Sequence, residues 1–206
     1  MAESKDDLED DVPIALTGAA ITVVGDKMLV WGGFTQEIEG EGDDRFPLNV
    51  PLPEEDDEDY PIEEYDIIEK CWRRHKTTGK GGDETNIPAF GSGSVMISMG
   101  GLVYLYGGWN DQQFSNDVFR LHPVSMVWEK LESREGHPPV SKCHCGIVQH
   151  DGKLIIFGGI GAAGQAGRGG GAQYITCHDT KVTYDYCWNN ELHSFDPTSG
   201  NCLLAV

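Results

Sequence analysis

The sequence predicts an all-β fold of repeated four-stranded units, and three observations carry that prediction. A short apolar run ending in Gly-Gly occurs three times, as Met28-Leu-Val-Trp-Gly-Gly-Phe34, Val103-Tyr-Leu-Tyr-Gly-Gly-Trp109 and Leu154-Ile-Ile-Phe-Gly-Gly-Ile160. Runs rich in β-branched and aromatic residues that stop at glycine read as buried strands. Each run follows another apolar stretch and a two-residue turn, at Gly25-Asp26, Gly100-Gly101 and Asp151-Gly152. Such pairs suit hairpins whose turn needs positive φ. Finally, each Gly-Gly is followed by two further strand-like segments, so the unit is a meander of four strands.

The elements follow in order. The first unit has strands at Ile21–Val24, Met28–Trp31, Glu64–Ile68 and Trp72–His75. The second has Val95–Met99, Val103–Tyr106, Asp117–Leu121 and Trp128–Leu131. The third has Ile147–His150, Leu154–Phe157, Leu192–Phe195 and a last strand from Cys202. The Gly-Gly pairs begin at Gly32, Gly107 and Gly158, gaps of 75 and 51. A period near 50 residues with four strands per unit is that of a kelch-type β-propeller blade. The first gap is longer because of an acidic insert at 36–61, and the third unit carries a Gly-rich insert at 160–188. Both inserts are expected to be mobile.

The chain thus divides into an acidic tail at 1–14, blade 1 at 15–80, blade 2 at 90–132 and blade 3 at 141–206. One meander cannot bury both of its apolar faces; stacking blades radially buries them. Gly-Gly lets backbones crowd near the axis, and the strand-four Trp packs between blades. Known propellers close with about four to eight blades, so three form an incomplete ring with two open apolar faces. Either the sequence is a piece of a larger ring, which is the expected case, or the half-ring pairs with another copy.

Charge and motifs exclude several functions. The formal net charge is −19, the wrong sign for nucleic acid or for an anionic membrane surface. Thirteen acidic residues and one Arg lie between Glu37 and Glu64, and Glu3, Asp6, Asp7, Glu9, Asp10 and Asp11 crowd the start. The acid therefore belongs to the tail and the insert. There is no apolar run of membrane-spanning length and no signal-peptide pattern at the N-terminus. Six irregularly spaced cysteines without a secretory signal point to free thiols and a cytoplasmic or nuclear protein.

Gly159-Ile-Gly-Ala-Ala-Gly164 matches G-x-G-x-x-G, but glycines continue through Gly171 where a dinucleotide site needs a helix. Cys143-His144-Cys145 lacks the knuckle spacing of structural zinc, and alternation along a strand would turn its side chains apart. No paired carboxylates, nucleophile elbow or triad pattern appears. The expectation is a non-enzyme with no cofactor and no bound metal. Trp109 leaves the blade directly after Gly-Gly, where an exposed indole would anchor a partner; packing under its own loop is the alternative.

The three Gly-Gly strands, the stretch Gly136-His-Pro-Pro-Val-Ser-Lys142 and the late Trp188-Asn-Asn-Glu-Leu-His193 resemble the N-terminal half of kelch domain-containing proteins 1 and 2, over residues 16 to 206. That resemblance implies a substrate receptor of a cullin-2 RING ubiquitin ligase that holds a client's C-terminus, often ending in glycine, in the ring's central pocket. It places the pocket at the residue after Gly-Gly and near the start of strand one, here Phe34, Trp109, Ile160 and His144. The family has Tyr where this chain has Ile160 and Lys where it has His144. Its client-clamping arginines, and the C-terminal region that docks the cullin-ligase adaptor, lie beyond the matching half. A kelch adaptor of cytoskeletal or signalling type, without a ligase, is the other reading; a copper-dependent oxidase on similar blades is the least favoured.

Overall fold

A computed structural model describes residues 16–33, 61–89, 91–110, 113–136, 139–162, 173–176 and 185–205. The acidic tail, most of the acidic insert and Phe34 lie outside the described residues.

The first sheet orders β1 (Ala20–Val24), β2 (Lys27–Trp31), β3 (Pro61–Asp66) and β4 (Cys71–Lys76) as an antiparallel meander. The strand read as starting at Glu64 begins three residues earlier. Glu63 and Glu64, counted with the acidic insert, are buried strand residues held by cross-strand cations. Arg74 Nε donates to Glu63 at 2.7 Å, and Lys27 Nζ donates to Glu64 at 2.8 Å and Asp66 at 2.7 Å. Hydrogen bonds from the Glu69 amide and from Lys27 hold the Asp66 carboxyl far below the usual carboxylate range.

After blade 1 the chain forms a two-residue strand, β5 (Thr78–Gly79). Blade 2 follows as β6 (Val95–Met99), β7 (Leu102–Tyr106), β8 (Val118–His122) and β9 (Val127–Leu131). β5 adds to this second sheet, parallel to β9 at its outer edge. The next connection repeats the device. β10 (Glu135–Gly136) lies parallel to β17 (Asn201–Ala205) on the edge of a sheet that also contains β11 (Gly146–His150), β12 (Lys153–Phe157) and β16 (Leu192–Phe195). The outer edges of these two sheets, those of blades 2 and 3, are thus covered by the preceding linker, which removes bare donors and acceptors. The hairpin glycines fit their positions: Gly100 and Gly101 have φ of 62° and 78°, and Asp151 and Gly152 have 48° and 72°, as a type I′ turn requires.

The described residues of the blade 3 insert, which was expected to be mobile, form a small sheet. β13 (Ile160–Ala162), β14 (Gln173–Thr176) and β15 (Asp185–Trp188) pair in the order β13-β15-β14. The aromatic and β-branched content of Tyr174-Ile-Thr176 and Tyr186-Cys-Trp188 favours strands and outweighs the glycines around it.

Two apolar clusters form the core, one at each blade junction. Leu29, Trp31 and Ile62 meet Met96, Leu105, Phe119 and Trp128 between blades 1 and 2. Tyr104, Tyr106 and Val118 meet Cys145, Leu154, Ile156, Phe195 and Cys202 between blades 2 and 3. β1 packs beside β6, and β6 beside β11, so strand one of each blade is innermost. The chain is an incomplete kelch-type β-propeller of three blades.

Candidate functional site

The rim where strand one begins is built by two glycine devices. The first is the pair after strand two. Gly32 and Gly33 have φ of 68° and 97°, Gly107 and Gly108 have 71° and 111°, and Gly158 and Gly159 have 71° and 102°. A Cβ on Gly32 would collide with the Gly91 carbonyl oxygen, and one on Gly107 with that of Lys142. Side chains are excluded because neighbouring blades bond here through backbone: the Gly33 amide donates to Gly91 at 2.8 Å, and the Gly108 amide donates to Lys142 at 3.0 Å.

The second device sits two residues before strand one, at Gly18, Gly93 and His144, with φ of 73°, 70° and 52°. The Gly93 amide donates to the Gly18 carbonyl at 2.8 Å and the His144 amide to the Gly93 carbonyl at 2.7 Å. These bonds step from blade to blade. His144 holds a left-handed position that the other blades fill with glycine, and it is a turn residue rather than the strand residue expected. Its imidazole is exposed and stands over Gly93: a Cβ there would lie 3.0 Å from both Cε1 and Nε2. Cys143 and Cys145 on either side are buried. The triplet therefore divides between core and solvent, but through a turn and not through strand alternation. Burial pushes the Cys143 thiol up to about 12 and that of Cys145 up to about 11, so both stay protonated and poor as nucleophiles or ligands.

Trp109 and Ile160 close the rim. Trp109 and Ser92 exchange two backbone hydrogen bonds of 2.9 Å, and so do Ile160 and Cys143. A continuous path runs from Trp109 through Ser92 and Gly93 to His144, Cys143 and Ile160, which places three of the four expected residues on one rim. Trp109 is half-buried, with its ring 4.7 Å from that of Phe114 in its own loop. The indole packs on its own loop and leaves part of its surface open.

Beneath this rim lies a polar group the sequence did not signal as a site. Lys142 is fully buried, and its Nζ donates to Asn189 Oδ1 at 3.2 Å. Asn189 Nδ2 donates to Glu191 Oε2 at 3.2 Å, and His193 Nε2 is 2.9 Å from the same oxygen. Burial lowers the pKa of Lys142, against the raising pull of Cys145 and Glu191. Lys142 and the Asn-Asn-Glu run were legible only as parts of matching segments; nothing local announces that residues 47 positions apart will meet. The group fixes the segment bearing His144, since the Asn189 amide also donates to Gly159 at 2.9 Å.

Residues 3–201 match the family described as the KLHDC2/KLHL20/DRC7 Kelch-repeats domain. Kelch domain-containing protein 1 of Homo sapiens is 28% identical over 189 residues, covering 87% of this chain and 40% of that protein. Kelch domain-containing protein 2 of Homo sapiens is 26% identical over 199 residues, covering 94% and 45%. The flagellar outer-arm dynein alpha chain of Chlamydomonas reinhardtii is 29% identical over 108 residues, covering 51% of this chain and 2% of that protein. The chain spans less than half the length of these relatives. With its Gly-Gly-terminated strands, blade-to-blade backbone bonds and matched span, it belongs to the kelch-repeat family, whose domains are protein-binding scaffolds.

Proposed function

We propose that this chain supplies part of the inner wall of a ring that captures a client protein by its free C-terminus, in the service of a cullin-RING ubiquitin ligase. The observation that carries the reading is the rim itself. It presents the Trp109 ring, the exposed His144 imidazole and half-buried Ile160 along one hydrogen-bonded backbone path. An aromatic face, a cationic-capable ring and an apolar side chain suit a short chain end, which needs one orienting charge contact and shallow apolar contacts. The adaptor contact of the ligase belongs to a region beyond the matched half of the relatives, and the site of action is the cytoplasm or nucleus.

The test is titration of the complete ring, of which this chain supplies part of the wall, with glycine-ending peptides carrying free and amidated C-termini, read by fluorescence polarisation. The free acid is expected to bind at least about tenfold more tightly, a difference of roughly 1.4 kcal/mol. Equal binding would remove carboxylate capture. It would leave the second reading, a kelch adaptor without a ligase, which the departures from the family at His144 and Ile160 favour.

A further inference from the structure

Two linkers clasp the perimeter of the blades by one geometry. The Thr78 amide donates to the Met126 carbonyl at 3.1 Å where β5 meets β9, and the Arg134 amide donates to the Gly200 carbonyl at 2.9 Å where β10 meets β17. Met126 and Gly200 each end the turn before strand four. Both are left-handed, with φ of 53° and 76°. Both also close that turn onto its start: the Met126 amide donates to His122 at 2.9 Å and the Gly200 amide to Asp196 at 2.8 Å. Blade 1 carries the same acceptor. Lys70 has φ of 58°, and its amide donates to Asp66 at 2.8 Å. Among the described residues no donor meets the Lys70 carbonyl, and β4 pairs with β3 alone.

Each clasp comes from the segment leading into strand one of the blade it covers. Thr78 lies 17 residues before Val95, and Glu135 lies 11 before Gly146. Counted back from Ala20, the first residue of β1, the same spacings reach residues 3 and 9. The segment in the clasp position for blade 1 is therefore the acidic tail of this chain. A bare strand edge is a liability that proteins cover.

We propose that residues 3–9, which lie outside the described residues, dock as a third clasp parallel to β4, with a tail amide donating to the Lys70 carbonyl. Charge favours this occupant. The turn and β4 present Lys70, Arg73, Arg74 and Lys76, all exposed. Arg73 bonds to Glu64 and Asp66, and Arg74 to Glu63, which leaves guanidinium donors for a further carboxylate. The tail reads Glu3-Ser-Lys-Asp-Asp-Leu-Glu9, with four acids and one lysine, and opposite charges on neighbouring strands stabilise their pairing. β5 and β10 each contain a glycine that residues 3–9 lack. At Gly79, however, a Cβ would strike the Asp83 carbonyl oxygen of the linker's own turn and not β9, so the pairing itself does not demand glycine. The proposal is independent of peptide capture, because it concerns the perimeter and not the rim.

The test is amide hydrogen exchange, read by mass spectrometry, on the complete ring of which this chain supplies part. The parent is compared with a deletion of residues 2–14 and with Asp6→Lys combined with Asp7→Lys. Exchange over Cys71–Arg74 is expected to quicken at least about tenfold in the deletion and about threefold in the charge-reversed protein, while β9 and β17 keep their protection. In the parent, a zero-length carbodiimide is expected to join tail carboxylates to Lys70 or Lys76. Unchanged exchange over Cys71–Arg74 in both variants overturns the proposal, and so do cross-links from the tail only to lysines outside blade 1. Should the deletion loosen β9 and β17 as well, the charge-reversed protein decides by the same readout.

Discussion

At the scale of single residues, His144 separates strain from use. Non-glycine residues with positive φ are uncommon, although His is among the more tolerant. The left-handed region costs an L-residue about 1–2 kcal/mol, while glycine adds about 0.4–1 kcal/mol of unfolded-state freedom. The first outweighs the second, so His144→Gly is expected to raise the melting temperature slightly by calorimetry while weakening peptide binding. A loss of stability would mean that the imidazole over Gly93 contributes packing. This position was opaque in the sequence. Cys143-His144-Cys145 reads as strand because the residues beside it are apolar, and the left-handed turn is set by the Gly93 carbonyl that receives its amide, 51 residues away in the chain. Trp109, by contrast, was legible at once, because Gly-Gly fixes where the strand ends.

At the scale of elements, the strands were readable where an apolar run met a glycine stop, as in β2, β7 and β12. They were not readable where long-range pairing set the boundary. β3 starts at Pro61 because Arg74 and Lys27 neutralise Glu63 and Glu64 from neighbouring strands, and a row of acids without those partners looks like loop. The two-residue strands β5 and β10 carry no pattern at all. Their role is nevertheless testable. Gly136 has φ of 93°, and a Cβ there would collide with the Cys202 carbonyl oxygen. Gly136→Val should cost about 1–3 kcal/mol through strain and release β10 from β17. Hydrogen exchange should then quicken at Asn201 and Cys202 while β6 and β7 keep their protection. Unchanged exchange at Asn201 would mean the edge is closed by something other than β10.

At the scale of the whole molecule, stability is tied to buried thiols. Burial raises Cys143 to about 12 and Cys145 and Cys202 to about 11, from an ordinary value near 9. Between 9 and 11 the unfolded chain loses these protons and the native one keeps them. Each such thiol therefore removes about 1.4 kcal/mol of stability per pH unit. Tyr106, raised well above its usual 10 by burial, adds to the loss as pH passes that value. Lys142 opposes it: its pKa is lowered from 10.5, so the native state sheds a proton first and gains stability as pH rises toward that value. Three thiols outnumber one amine. The urea midpoint is expected to fall as pH rises from 9 to 11, and Cys202→Ala should flatten the fall by about one third of the thiol contribution. A flat profile in the parent chain would show that the thiols reach water.

The paired linkers have a consequence for synthesis. Thr78-Gly79 and Glu135-Gly136 each precede the sheet whose outermost strand they cover. As the chain leaves the ribosome from its N-terminus, the clasp for a sheet is already outside when that sheet's last strand emerges. Blades 2 and 3 are latched on completion, so neither offers its finished outer strand edge to neighbours on the polysome.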